Sequence, residues 1–158
     1  MPAEKTNVMR ILEQKGIQFK SYTYGNGEPM SGTDVAALLG QDPDRVFKTL
    51  VTQGHSGTHY VFMVPVAEEL DLRKAASAVG EKSIAMIKSK ELLPLTGYVH
   101  GGCSPIGMKK QLMTVIDETA QLFDSIMFSA GKIGFQVDVA PPDLESVVPL
   151  RYEDITVR

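Results

Sequence analysis

Tryptophan is absent from the sequence, and cysteine occurs once, at Cys103, among 158 residues. A single cysteine excludes an internal disulfide and a cysteine-rich metal site. The three histidines do not make up for this, because His55 and His59 flank a predicted hairpin turn and His100 lies in a glycine-rich loop. We therefore expect no metal and no cofactor. The few aromatic residues provide no evident platform for stacking single-stranded nucleic acid.

Long apolar runs are also absent. No stretch approaches the ~20 apolar residues that a membrane span requires, and residues 1–10 lack the apolar core of a signal peptide. We expect a cytoplasmic protein with no membrane partner and a single domain over residues 1–158. The net charge of −3 argues against a protein held to nucleic acid by bulk charge, so no DNA partner is expected.

Several familiar catalytic motifs are missing as well. The sequence contains no GxSxG elbow, no GxxxxGK[ST] phosphate loop and no GxGxxG that follows a strand. What remains is glycine-rich backbone beside small polar side chains. Backbone N–H groups at such places can stabilise an oxyanion without any titrating side chain. The candidates for this role are Gly101, Gly102, Ser104, Ser129 and Gly131, and the same glycines serve equally well in tight turns.

The elements that are present predict a mixed α+β fold. Helices are expected near residues 7–15, 33–40, 72–80, 89–97 and 141–148, and Ser31 with Asp34 resembles a capping box. Apolar segments at 17–24, 45–51, 59–66, 82–87, 112–117, 125–131 and 133–140 are typical of strands. Several of them are joined by tight turns, so much of the sheet should be antiparallel. We predict a mixed, partly barrel-like curved sheet surrounded by short helices.

One predicted strand, RVFKTLV at 45–51, has a lysine in its middle. Alternation places Lys48 on the face of Val46 and Leu50, where a charge must reach solvent, find a partner or line a cavity. An edge-strand lysine that discourages aggregation is the simpler explanation of this stretch taken alone. The residues themselves leave both interpretations open.

Three segments in order resemble the YbaK/ProX family of aminoacyl-tRNA editing domains. They are RVFKTLV (45–51), TGYVHGGCSPIGMKK (96–110) and FSAGKIGFQVDVAPPDL (128–144). The combination of KTL, GYxxGGxSPxGxKK and SxGKxG is similar to the free-standing branch of the family, which hydrolyses Cys-tRNA(Pro). The resemblance also implies the partly barrel-like α+β fold.

The resemblance implies roles for particular residues. Lys48 would be the pocket lysine that contacts the acceptor end of the aminoacyl-tRNA and positions the ester. Tyr24 would be a pocket tyrosine, and the Gly101-Gly102 backbone, Ser104 and the Ser129–Gly131 turn would hold the aminoacyl group. Asp138 is expected to supply an acidic group in the pocket, since Gln136 is not acidic. Three lysines are candidate contacts to the tRNA backbone: Lys109, Lys110 and Lys132.

The resemblance also implies a mechanism without a protein nucleophile. The thiol of the substrate cysteine attacks its own ester carbonyl, forms a thiolactone and releases tRNA. A related member cleaves Ala-tRNA(Pro) with water instead, and a non-catalytic tRNA- or synthetase-binding module is the competing class. Prolyl-tRNA synthetase is the expected partner besides tRNA(Pro). Cys103 occupies a variable position, and its thiol is expected to pack rather than react.

Overall fold

The computed structural model describes residues 5–25 and 27–157, which fold into five α-helices and eight strands in this part of the chain. The helices are α1 (Asn7–Gln14), α2 (Gly32–Leu38), α3 (Leu72–Val79), α4 (Ser89–Thr96) and α5 (Pro141–Glu145). The strands are β1 (Lys20–Thr23), β2 (Phe47–Gly54), β3 (His59–Pro65), β4 (Ile84–Met86), β5 (Met113–Asp117), β6 (Ile126–Ser129), β7 (Phe135–Val139) and β8 (Leu150–Glu153). None of the described helices is long and apolar enough to cross a membrane.

The strands form two sheets. One is antiparallel with the order β1-β7-β6, and the other is mixed with the order β4-β2-β3-β5-β8. In the second sheet β2 pairs antiparallel with β3 and β4, whereas β5 pairs parallel with β3 and β8. An isolated bridge between Val46 and Met127 links the sheets. The predicted α+β class is confirmed, and within the described residues the strands form two sheets that do not close into a barrel.

Helix ends follow the polar residues and glycines of the sequence. The Ser31 hydroxyl accepts a hydrogen bond from the Asp34 N–H at 3.2 Å, as the predicted cap requires. The Asp71 carboxylate accepts the N–H groups of Arg73 and Lys74 at the start of α3. At its other end Gly80 adopts φ +74°, a left-handed conformation that favours glycine.

Alternation along the central strands separates two hydrophobic clusters. Phe47 and Val51 pack into the larger cluster between the sheets, together with Val8 and Leu12 of α1. Leu50 packs on the opposite side of the second sheet, against the cluster that includes α3. Strand β2 is therefore covered on both faces, as a central strand is.

One edge of β2 stays without a strand over most of its length. Its ladder with β3 runs the full strand, whereas its ladder with β4 covers Thr52–Gly54. On the side of β4, no described strand pairs with residues 47–51 between that ladder and the Val46 bridge. This interruption leaves a gap between the two sheets, and the gap is where the candidate site lies.

Strand β2 also begins two residues later than predicted. Residues Pro43–Arg45 form a single 3₁₀ turn, capped by the Asp42 carboxylate, which accepts the Asp44 N–H at 2.9 Å. The prediction of a strand from residue 45 was wrong at this end, because the cap stops the backbone from extending. Arg45 is thereby turned toward β7, where it pairs with Asp138.

The long segment 98–110 contains no helix or strand, as predicted. It is nonetheless ordered by its own contacts. The Tyr98 hydroxyl donates to the Ile106 carbonyl oxygen, and Ser104 accepts the Ile106 N–H at 3.3 Å. Ser104 and Ile106 are fully buried. The segment is a packed loop that presents a short stretch around Gly101 to the gap beside β2.

Candidate active site

A cavity of about 530 Å³ opens along the free edge of β2. Six consecutive residues of the chain, 46–51, line it, as expected where a cavity runs along a strand edge rather than one face. Four residues predicted from the sequence meet here although they are distant in the chain: Tyr24, Lys48, Gly101 and Ser129. The cavity has the size and mixed polarity of a small-molecule site.

The lining of this cavity carries no Asp or Glu side chain among the described residues. Lys48 and His100 are its ionisable basic groups. This contrasts with the whole chain, in which Asp and Glu outnumber Lys and Arg by 19 to 16. A lining of this composition favours an anionic or electron-rich ligand.

Lys48 lies half-buried on the wall of the cavity. Its pairing partner on the neighbouring strand β3 is the buried Val64. Within the part of the chain that the structure describes, the Lys48 ammonium has no hydrogen bond and no ion pair. An ammonium group in such surroundings is available to a ligand. Lys48 also lies on the part of β2 that has no described strand beside it on the β4 side. Its position therefore combines features of a cavity lysine and of an edge-strand lysine.

Two further residues of the lining each carry a buried polar atom that has no partner among the described residues. The Oγ1 atom of Thr49 and the Oε1 atom of Gln136 are buried, and neither makes a hydrogen bond to the described residues. Buried polar atoms are normally paired, so a pair of exceptions in one cavity points to a ligand. Sequence reasoning missed Thr49. The signal was its polarity between Phe47 and Val51, on a face that otherwise packs into the core.

The predicted glycines divide between the cavity and its supports. Gly101 lines the cavity with φ +88°, a conformation that other residues rarely adopt. Gly102 does not line it. Its N–H donates to the Val99 carbonyl at 3.0 Å, and an added Cβ would lie 3.0 Å from the Ile133 nitrogen. Gly102 therefore allows two loops to approach closely.

The turn after β6 has a similar supporting role. The Gly131 N–H donates to the Ser129 Oγ at 3.2 Å, and φ at Gly131 is +90°. A Cβ at Gly131 would lie 2.9 Å from the ring of Tyr98. The turn holds Ser129 at the cavity wall, while Gly131 itself packs behind it.

Two predicted binding residues lie elsewhere. Ser104 is fully buried in its loop and does not line the cavity. Asp138 also lies away from it, because its carboxylate oxygens each accept a hydrogen bond of 3.1 Å from the Arg45 guanidinium. Arg45 also donates to the carbonyl of Ser125 and the side chain of Gln41. The hydrogen bond that Arg45 donates to Asp138 raises the pKa of the Arg45 guanidinium above its ordinary value.

The three candidate tRNA-contact lysines lie outside this cavity. Lys109 and Lys110 are exposed at the end of the long loop, and the aliphatic part of Lys109 packs beside Gly97. Lys132 is exposed, and its ammonium lies 5.3 Å from the centre of the Phe135 ring.

The cysteine thiol is at the cavity wall but is not activated. Burial raises the pKa of the Cys103 thiol, and a hydrogen bond with Thr96 lowers it by less. The two effects together place this pKa at about 12. A thiol with this pKa is protonated at neutral pH and is a poor nucleophile. In the described part of the chain no three His, Cys, Asp or Glu side chains cluster as metal ligands would.

Comparisons with known proteins agree on one family. The family model described as an aminoacyl-tRNA editing domain matches residues 30–147. An Enterococcus faecalis protein named as a candidate Cys-tRNA(Pro)/Cys-tRNA(Cys) deacylase is 43% identical over 98% of this chain and 95% of its own length. The Escherichia coli multifunctional Ser/Thr-tRNA deacylase ProXp-y is 29% identical over 86% of this chain and 83% of its own.

The fold has a solved counterpart. A crystal structure described as a candidate trans-editing enzyme for prolyl tRNA synthetase superposes with a TM-score of 0.84. The match covers 98% of this chain and 100% of the other at 23% identity. At that identity the likeness establishes the shared architecture.

Proposed function

This chain belongs to the aminoacyl-tRNA editing domain family, and on that premise we propose that it deacylates mischarged tRNA in trans, with Cys-tRNA(Pro) as its substrate. The observation that carries the proposal is the cavity beside β2. Among the described residues, it combines a Lys48 ammonium and two buried oxygen atoms that lack protein partners with a lining without carboxylates. The name of the Enterococcus relative supports cysteine as the amino acid that is removed.

The substrate supplies the nucleophile in the proposed reaction. The cysteinyl Sγ attacks the ester carbonyl, the new S–C bond forms and the C–O bond to the ribose breaks. The thiol proton passes to the ribose oxygen, and tRNA leaves with a free 3′ end. The other product is a thiolactone whose ring consists of Sγ, Cβ, Cα and the carbonyl carbon, and water then opens it to cysteine.

A four-membered ring is strained, so the protein must hold the thiol close to the carbonyl and stabilise the oxyanion. We assign the ester and the phosphate–ribose end of the substrate to Lys48. Thr49 and Gln136 then recognise the aminoacyl group through their side-chain oxygens, since the Gln136 oxygen can accept a hydrogen bond from the substrate ammonium. Tyr24, Gly101 and Ser129 complete the wall.

Asp138 enters the proposal as a support rather than a ligand. Its pair with Arg45 fixes β7 two residues from Gln136. Lys109, Lys110 and Lys132 remain the proposed contacts to the tRNA backbone. We further propose tRNA(Pro) and prolyl-tRNA synthetase as partners, in the cytoplasm where charging takes place.

The proposed chemistry is tested by changing the substrate side chain. Cys-tRNA(Pro) should be cleaved rapidly, while Ala-tRNA(Pro) and S-methylcysteinyl-tRNA(Pro), which lack a free thiol, should survive. Equal cleavage of all three esters would mean that an activated water, and not the substrate thiol, is the nucleophile. Cleavage of Ser-tRNA(Pro) at the cysteine rate would move the specificity toward that named for the Escherichia coli relative.

A further inference from the structure

A second cavity, of about 540 Å³, adjoins the first, and Tyr24 lines both. The end of β1 and the loop before β7 form its wall, which includes Lys132 and Phe135. The Tyr24 N–H donates to the Gly134 carbonyl at 2.9 Å, so these two segments are held together. A ligand that extends out of the first cavity past Tyr24 therefore enters the second.

The two adjoining cavities share a charge pattern that differs from that of two other cavities lined by described residues. Neither lining includes an Asp or Glu side chain among the described residues, and each includes one lysine, Lys48 or Lys132. Two other cavities of the molecule are lined by two and three carboxylates respectively: Asp138 and Asp143 in one, and Asp44, Glu68 and Asp117 in the other. In a chain of net charge −3, two contiguous carboxylate-free cavities favour one elongated anionic ligand.

The second cavity also offers a flat apolar surface beside a cation. Phe135 is half-buried, and the Lys132 ammonium lies 5.3 Å from its ring centre. Gly25 and Gly134 have φ of +68° and +94°, conformations that favour glycine. A Cβ at Gly134 would lie 3.1 Å from the Tyr24 carbonyl oxygen, so a side chain there would crowd this wall. Aromatic faces and lysines are the groups that bind a nucleobase and its phosphate.

From this geometry we infer that the second cavity binds the penultimate nucleotide of the tRNA 3′ end. The inference rests on the proposed function, which places the terminal aminoacyl-adenosine in the first cavity. The linking phosphate then passes Tyr24 within reach of Lys132, and the cytosine packs against the Phe135 side of the wall. The protein would thus read two nucleotides of the acceptor end, not one.

Binding of uncharged probes tests this directly. The dinucleotide CpA should bind the wild-type protein roughly tenfold more tightly than adenosine, the gain expected from one charged hydrogen bond to phosphate. Lys132→Met should lose most of that gain and leave adenosine binding unchanged. Lys15→Met, an exposed lysine that lines neither cavity, serves as the matched control. Equal binding of CpA and adenosine by the wild type, or an equal loss of both in Lys132→Met, would overturn the inference.

Kinetics separate this inference from the proposed function. With 3′-O-cysteinyl-adenosine the Lys132→Met variant should match the wild type, and with cysteinyl-CpA its kcat/KM should fall roughly tenfold. If the wild type cleaves neither ester but still binds CpA through Lys132, the deacylase proposal fails and the nucleotide site stands. If both esters are cleaved equally well by wild type and variant, the nucleotide site fails and the deacylase proposal stands.

Discussion

Thr49 on β2 and Gln136 on β7 line one cavity from two different sheets, and the buried side-chain oxygen of each lacks a hydrogen-bond partner among the described residues. A buried oxygen without a partner costs stability. The pairing of two such atoms across one cavity is therefore the arrangement expected of groups that wait for a ligand.

That arrangement predicts opposite effects on stability and activity. Thr49→Val removes the unpaired hydroxyl with little change of shape, so the free energy of unfolding should stay level or rise by about 1 kcal/mol. Deacylation should fall, with the loss mainly in KM. Urea unfolding and steady-state kinetics measure the two quantities. Thr52→Val is the matched control, because the Thr52 hydroxyl donates to the Tyr60 carbonyl and its loss should lower stability. A Thr49→Val protein with lower stability and full activity would contradict the assignment.

Cys103 should be dispensable for the reaction. Burial raises its thiol pKa to about 12, so at neutral pH the thiolate that attacks esters or alkylating agents is scarce. Cys103→Ala should keep wild-type deacylation, and iodoacetamide should label the native protein far more slowly than the unfolded protein. Loss of activity in Cys103→Ala, with folding intact, would mean that the thiol takes part in the chemistry.

Removal of one partner of the Arg45–Asp138 ion pair should lower the free energy of unfolding strongly, because the pair is largely buried. The Asp138 side chain is 6% exposed, and Arg45→Met would leave its carboxylate without the cation. The cost should be about 3 kcal/mol, and the double variant Arg45→Met/Asp138→Leu should lose less than the two single variants together. Lys5→Met, which breaks the exposed pair with Glu13, should cost about 0.5 kcal/mol or less. Similar small losses at both pairs, measured by urea unfolding, would contradict the prediction.

Glu81 should give the protein a pH-dependent part of its stability. Its carboxylate accepts hydrogen bonds from the Ser56 hydroxyl at 2.5 Å and the Tyr60 hydroxyl at 2.7 Å, and these lower the pKa of Glu81 below its ordinary value of 4.5. A lowered folded-state pKa stabilises the protein above pH 4.5, and the stabilisation disappears as the pH falls through the folded-state value.

Thermal unfolding of Glu81→Gln tests this. The variant should be less stable than the wild type at pH 7, and the difference should shrink as the pH falls below 4.5. Glu118→Gln is the matched control, because the Glu118 side chain is exposed and makes no hydrogen bond within the part of the chain that the structure describes. A stability difference for Glu81→Gln that grows toward acid pH would contradict a lowered pKa of Glu81 in the folded protein.

Local patterns predicted most of the elements but not how they meet. The cap at Ser31, the hairpin turn between β2 and β3 and the glycine-rich loop at 98–110 depend on nearby residues, and each lies where the sequence places it. The parallel pairs of β5 with β3 and β8 join strands that are far apart in the chain. No tight turn connects these strands, so no local sequence pattern predicts that they pair.

The site divides in the same way. Lys48 was found because a charge within an apolar strand is a local anomaly. Asp138 was given a binding role because nothing nearby reveals its partner Arg45, which lies 93 residues away. The cavity exists because the pairing of β4 with β2 stops at Thr52. The sequence pattern of a strand does not predict how many of its residues a neighbouring strand will pair with.

The most direct test of the account compares wild type and Lys48→Ala on Cys-tRNA(Pro), Ala-tRNA(Pro) and Pro-tRNA(Pro). Lys48 lacks a protein partner among the described residues, so the variant should fold with unchanged stability. The account predicts rapid loss of the cysteinyl ester alone, slowed about a hundredfold or more in the variant. A folded Lys48→Ala protein that deacylates Cys-tRNA(Pro) at the wild-type rate would contradict it.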